Sequence, residues 1–344
     1  MMRIVFMGTP EFAVPVLENL KQSGIELAAV VTQPDRPRGR GRKVSFSPVK
    51  EKAVELGLEV LQPLRVREEA FIQQLQGLQP DLIIVAAFGQ ILPEKILRIP
   101  PLGCLNVHAS LLPRYRGAAP IQRVLMNGEK KTGVTIMLME KGLDTGDMLA
   151  QAEVTIMAEM NFGQLHDRLA LVGAELLMKT LPAWQEGKIT PVAQVEKDSS
   201  YASPLRREDE LICWANSAQM IYNQIRSLAP WPGAYTVFQG KPLKIWESEL
   251  VHMKAEEVEE TEKAEKAEQV QGTEQGKRTE KKEQAVPGMV LCLVKGQGFV
   301  VQTGVGSLLI KQVQPVGKKI IPAQSFINGY RLEVGNVFDN AGNE

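Results

Sequence analysis

This chain has little with which to build a metal or disulfide site. Its three cysteines, Cys104, Cys213 and Cys292, stand far apart in 344 residues. That spacing excludes a disulfide framework and a zinc site, and it leaves the expectation of buried thiols in a reducing compartment. Net charge is missing too: 40 Lys and Arg offset 40 Asp and Glu. No global field then draws nucleic acid, so any such contact must rest on a local cluster. No apolar run is long enough to cross a bilayer. Met1-Met2-Arg3-Ile4-Val5-Phe6 enters a strand-like pattern directly, so no signal peptide is expected. These absences predict a cytoplasmic protein. A dinucleotide motif is also lacking. Gly39-Arg40-Gly41 has no third glycine and opens no helix, and Gly8-Thr9-Pro10 lacks the glycine pattern.

What the chain does have is alternation. Arg3–Met7, Leu27–Thr32, Asp81–Phe88, Gly103–His108 and Gly133–Met139 read as strands, with helices predicted from Thr9, over Pro48–Leu56 and over Asn161–Thr180. This order predicts an α/β, Rossmann-like, mainly parallel sheet with helices on both faces. After a polar linker, 188–206, the character changes. A helix is predicted over Glu208–Ser227, followed by short β-type runs broken by glycine, as in a small OB-like β-barrel. The expected domains are therefore 1–187 and 207–344. Residues 254–284 are rich in Glu and Lys and free of aromatics, and they read as a disordered insertion in the second domain.

Of the three histidines, His252 borders that insertion and His166 falls on the polar side of a predicted helix. His108 differs, because it ends an apolar strand just before a loop, where open α/β sheets bind ligands. Asn106 lies two residues earlier and projects to the same face. Gly142-Leu143-Asp144-Thr145-Gly146 is a turn framed by glycines, and it either serves only as a turn or delivers Asp144 toward His108. Asn, His and Asp together suit attack by an amine on a carbonyl-like carbon. The amide and imidazole N–H groups can hold a developing oxyanion, and the carboxylate can fix the imidazole and help remove the amine proton.

Asn106-Val107-His108, the loop Ser110-Leu111-Leu112-Pro113-Arg114-Tyr115-Arg116-Gly117 and Gly142–Gly146 resemble the signature of 10-formyltetrahydrofolate-dependent formyltransferases. Met7-Gly8-Thr9-Pro10-Glu11-Phe12-Ala13, Thr32-Gln33-Pro34-Asp35-Arg36-Pro37 and Ala118–Arg123 are similar to the methionyl-tRNA branch of that family. The resemblance spans nearly the whole chain apart from the insertion, and Tyr115 departs from it where many relatives carry tryptophan. It implies transfer of a formyl group from 10-formyltetrahydrofolate to the methionine α-amine of initiator methionyl-tRNA, for translation initiation. Asn106, His108 and Asp144 would be catalytic, and Ser110, Leu111, Leu112 and Pro113 would line the folate site beside the loop Phe88–Leu92. No metal and no membrane are implied, and a monomer is expected.

Arg36, Arg38, Arg40, Arg42 and Lys43 place five positive charges in one glycine-bearing loop. The loop is either a solvated surface or a grip on phosphate. The resemblance favours the second, with tRNA as the ligand. Trp231, between two prolines, is expected to be a packing anchor. The alternatives are a formyltransferase acting on an amino-sugar nucleotide and a tRNA-binding module without catalysis.

Overall fold

A computed structural model describes residues 2–38, 43–251 and 285–339. Two compact units emerge: residues up to 124 together with 129–204, and 125–128 together with residues from 205 onward. In the first, β1 (Arg3–Gly8) lies inside a seven-stranded sheet. Ile4, Val5, Phe6 and Met7 are fully buried, as a strand covered on both faces requires. The sequence predicts a capping hydroxyl at Thr9. That hydroxyl instead donates to the Phe88 carbonyl at 2.9 Å, and α1 (Val14–Gln22) starts later, with proline in its first turn.

The chain continues through β2 (Glu26–Val31), the hairpin β3 (Arg36–Arg38) and β4 (Lys43–Ser45), α2 (Pro48–Glu55), β5 (Val60–Leu61), α3 (Glu69–Gly77) and β6 (Leu82–Ala86). Then come α4 (Glu94–Leu97), β7 (Cys104–His108), α5 (Pro120–Met126), β8 (Lys131–Leu138), β9 (Met148–Thr155) and α6 (Phe162–Gln185). The strand order is β5-β2-β1-β6-β7-β8-β9. The strands from β5 to β7 are parallel, β8 pairs antiparallel with β7, and β9 pairs antiparallel with β8. The order reverses between β1 and β6, which opens a crevice beyond their carboxyl ends. Asn161 caps α6 in a capping box with Gln164.

In the second unit the predicted helix Glu208–Ser227 is two helices, α7 (Arg207–Glu210) and α8 (Ala218–Ser227). The intervening residues leave helical geometry because Leu211 bridges to Tyr235 and Trp214 fills the core. Strands β10 (Ala234–Phe238), β11 (Lys241–Val251), β12 (Val290–Val294), β13 (Gly298–Gln302), β14 (Ser307–Pro315) and β15 (Ile321–Pro322) precede α9 (Ala323–Tyr330). The antiparallel order is β10-β11-β14-β13-β12, with β15 on β14. Val237 of β10 pairs with Asp339, and Met289 beside β12 pairs with Val337. Residues 337–339 thus bridge the two edges of the sheet, as a small barrel requires.

Three expectations change. Trp231 is 69% exposed and anchors nothing. The core position belongs to Trp214, which is fully buried and donates its indole N–H to Thr236 Oγ1 at 2.9 Å. His166 is mostly covered, packed against Phe12 and Phe162. Of the cysteines, Cys104 is buried, and burial pushes its thiol up to about 12. Cys213 is exposed and Cys292 partly so. The charged stretch 254–284 and His252 lie outside the described residues. Among the described residues no helix is long and apolar enough to cross a membrane.

Candidate active site

His108 ends β7 and is 6% exposed, with half-buried Asn106 two residues before it on the same face. His108 Nε2 lies 3.1 Å from the Tyr115 carbonyl. A carbonyl only accepts, so this partner assigns the ring proton to Nε2. Nδ1 then faces Asp144 Oδ2 at 3.6 Å. Catalytic pairs are often this long before substrate arrives and tighten with it.

Asp144 reaches His108 by an indirect route. The antiparallel register sets Leu138, the last residue of β8, opposite Leu105, three residues before His108. The loop after β8 must therefore fold back across the sheet face to bring Asp144 alongside the imidazole. Its glycines make this feasible, since a Cβ at Gly146 would run into the Leu138 carbonyl. Asp144 itself sits in the left-handed region at φ 52, which Asp and Asn tolerate better than most side chains. Its Oδ2 accepts a hydrogen bond from the Gly117 amide at 2.8 Å, so the carboxylate is held by main chain on one side and faces the imidazole on the other.

The loop 109–117 is pinned as firmly. Ser110 Oγ donates to the Arg114 carbonyl at 2.7 Å. Thr135 Oγ1 donates to the Ser110 carbonyl at 2.7 Å and accepts from the Leu112 amide at 3.1 Å. Gln151 Nε2 donates to the Leu112 carbonyl at 2.8 Å. Ser110 and Leu112 are buried, whereas Leu111 and Pro113 are partly open. In the loop after β6, Phe88 is buried and Ile91 is 84% exposed.

The segment read from sequence as a linker is bonded to this site. The Arg116 amide donates to the Ser200 carbonyl at 2.8 Å, and the Ala202 amide donates to the Arg116 carbonyl at 2.6 Å. The Arg116 guanidinium is buried and meets Gln194 Oε1 at 2.9 Å and Glu196 Oε2 at 2.8 Å. Burial pushes this guanidinium down, but Glu196 and Tyr201 outweigh it and hold it above its ordinary value. Arg116 in turn holds the Glu196 carboxyl below its ordinary value. Nothing periodic in 188–206 announces these contacts, and sequence reasoning missed them.

Of the basic loop, Arg36 is exposed, and Arg38 pairs with Lys43 across the β3–β4 hairpin. Arg40 and Arg42 lie outside the described residues. The base of the loop is fixed: Asp35 binds Lys50 at 2.5 Å and Gln62 at 2.8 Å. These hydrogen bonds, Lys50's first, keep the Asp35 carboxyl below its ordinary value. Among the described residues no cluster of three or more His, Cys, Asp and Glu suits a metal.

A half-buried amide, an imidazole and a carboxylate gathered at a strand end can stabilise an oxyanion and relay a proton during acyl transfer. The formyl transferase family model matches residues 2–181, and the formyl transferase C-terminal domain model matches residues 204–331. The methionyl-tRNA formyltransferase of Bacillus licheniformis is 46% identical over 336 residues, covering 97% of this chain and 97% of its own. That of Moorella thermoacetica is 47% identical over 336 residues, covering 98% and 99%. The chain belongs to the methionyl-tRNA formyltransferase family. The fold agrees with that membership. HypX from Aquifex aeolicus, solved in complex with tetrahydrofolic acid, matches at a TM-score of 0.61 and 16% identity, over 97% of this chain and 48% of its own. At that identity it shows a shared fold only. In this member of the methionyl-tRNA formyltransferase family, the first matched region lies in the first unit apart from residues 125–128, and all but the first residue of the second lies in the second unit.

Proposed function

We propose that this chain moves the formyl group of 10-formyltetrahydrofolate to the α-amine of methionine on initiator methionyl-tRNA, yielding N-formylmethionyl-tRNA in the cytoplasm. The observation that carries this reading is the His108–Asp144 pair at 3.6 Å, within a chain closely similar to that family along almost its full length. The amine attacks the formyl carbon, the C–N bond to the folate breaks, and the proton lost by the amine balances the one gained by the departing folate nitrogen. Asn106 supplies a donor to the oxyanion, while His108, held at Nε2 by the Tyr115 carbonyl, turns Nδ1 beside the Asp144 carboxylate, where the pair takes up the amine proton. Ser110, Leu111, Leu112 and Pro113 shape the folate pocket. Because the Ser110 hydroxyl is engaged by the Arg114 carbonyl, the loop would act through main chain and through Leu111 and Pro113. The first unit, which continues to residue 204, carries the catalysis, and 207–344 assist tRNA binding.

Incubation with charged initiator tRNA and 10-formyltetrahydrofolate should yield formyl-methionine. Uncharged tRNA and an amino-sugar nucleotide should yield no formylated product. A formylated amino sugar, with no formyl-methionine, would overturn the assignment.

Arg36, Arg38, Arg40, Arg42 and Lys43 grip tRNA phosphates from this basic segment. Replacing Arg38, Arg40 and Arg42 with Ala should weaken tRNA binding and flatten its salt dependence. The slope of log affinity against log salt should fall by about two to three, roughly one for each phosphate no longer neutralised. Titrations at several salt concentrations measure this directly, and an unchanged slope would remove the loop from the interface.

A further inference from the structure

We infer that Gln194 is a positioning residue for the reaction, acting through Asp144; the inference rests on the function proposed above. Its side-chain amide is fully committed. Nε2 donates to the Asp144 carbonyl at 2.8 Å and to the Gly146 carbonyl at 2.7 Å. Oε1 accepts from Arg116 Nε at 2.9 Å. One side chain thus ties both carbonyls of the folded-back loop to a buried guanidinium, which Glu196 holds from its other side. The Asp144 backbone is left-handed, a conformation that costs a non-glycine residue about 1 kcal/mol or more and persists only when its surroundings fix it. Gln194 is the group that fixes its carbonyl, while Gly117 fixes its carboxylate. Released from Gln194, this β8–β9 loop can relax, and Oδ2 moves away from His108 Nδ1.

The segment carrying Gln194 is itself anchored. Val192 exchanges two main-chain hydrogen bonds with Met148, each 2.9 Å, at the start of β9. Ser200 Oγ accepts from the Tyr115 amide at 2.9 Å, two residues before the Gly117 amide that binds Asp144. The strap 192–202 therefore spans both loops that meet at the His108–Asp144 pair. A misplacement of about 1 Å at such a pair can cost a hundred-fold in rate.

The test uses Gln194→Met, which keeps length without hydrogen bonding, and Gln194→Glu. The glutamate keeps the Arg116 contact but sets an oxygen against two carbonyls. Formyl transfer is followed in single turnover on charged initiator tRNA. The rate constant should fall at least ten-fold in both variants, while the KM for tRNA and for the folate stays within about three-fold. In an Asp144→Asn background, adding Gln194→Met should change the rate by less than two-fold, because the residue acts through Asp144. If Gln194→Met does not fold, Gln194→Glu carries the same comparison. A wild-type rate in a folded variant overturns the inference, as does a full ten-fold loss on top of Asp144→Asn. A wild-type chain that forms no formyl-methionine overturns the underlying function instead.

Discussion

Replacing His108 by alanine is expected to slow formyl transfer by at least a hundred-fold while the chain stays folded. A hundred-fold corresponds to about 2.7 kcal/mol of transition-state stabilisation, within the range that one oxyanion donor or one positioned acid–base group supplies. The side chain removed is buried at the end of β7, and its ring bonds only the Tyr115 carbonyl, with Asp144 at 3.6 Å. The same loss is expected for Asp144→Ala. Asp144→Asn is the sharper probe, because asparagine tolerates the left-handed backbone and keeps an acceptor for the Gly117 amide. It removes only the charge that faces the imidazole. Single-turnover formylation, with urea unfolding as the control for fold, measures each variant. Activity within a few-fold of wild type for His108→Ala or Asp144→Ala would take these residues out of the chemistry.

Gly117→Ala should strongly destabilise the first unit. The backbone there has φ 113, and a Cβ would lie 2.8 Å from the Ala202 carbonyl oxygen. That oxygen belongs to main chain hydrogen-bonded to the Arg116–Ala119 segment, so it cannot swing aside. Backbone strain and overpacking together should cost about 2–4 kcal/mol of stability. Gly187→Ala isolates the strain alone, since its φ is also positive, at 66, but nothing stands within 4 Å of the added carbon. Its cost should be near 1 kcal/mol. Urea midpoints compare the two. Gly117→Ala should also slow formylation more than its stability loss predicts, because the Gly117 amide holds the Asp144 carboxylate. Equal losses in the two glycine variants would show that the close approach to Ala202 is soft.

Much of this was legible in the sequence, for reasons that differ by residue. Asn106 and His108 share a face because strand periodicity is two, which needs no tertiary knowledge. The strands Arg3–Met7 and Asp81–Phe88 announce themselves as apolar runs, and β1 and β6 occupy the same ground. The partly exposed β9 carries a mixed pattern and no such signal. Helix Glu208–Ser227 broke because a bridge to Tyr235 and the burial of Trp214 overrode local propensity. Gln194 was invisible for a further reason. Its partners lie 48, 50 and 78 residues away, and an amide that binds carbonyls leaves no periodic trace. A polar stretch with proline at its end reads as a linker whether it is free or fastened.

The bridge made by residues 337–339 also sets a timetable for synthesis. Val237 is made about a hundred residues before its partner Asp339, and fully buried Phe338 lies between the two bridging positions. At roughly 5–20 residues per second, β10 waits on the order of 5–20 seconds for the residues that complete its edge. The first unit has no such wait, because its last contributing residue, near 204, is already made. A nascent chain should therefore pass through a stage in which the Rossmann-like unit is finished while the barrel stands open, with an unpaired strand edge toward solvent. That stage is the one in which a chaperone or a neighbouring nascent chain would find something to hold.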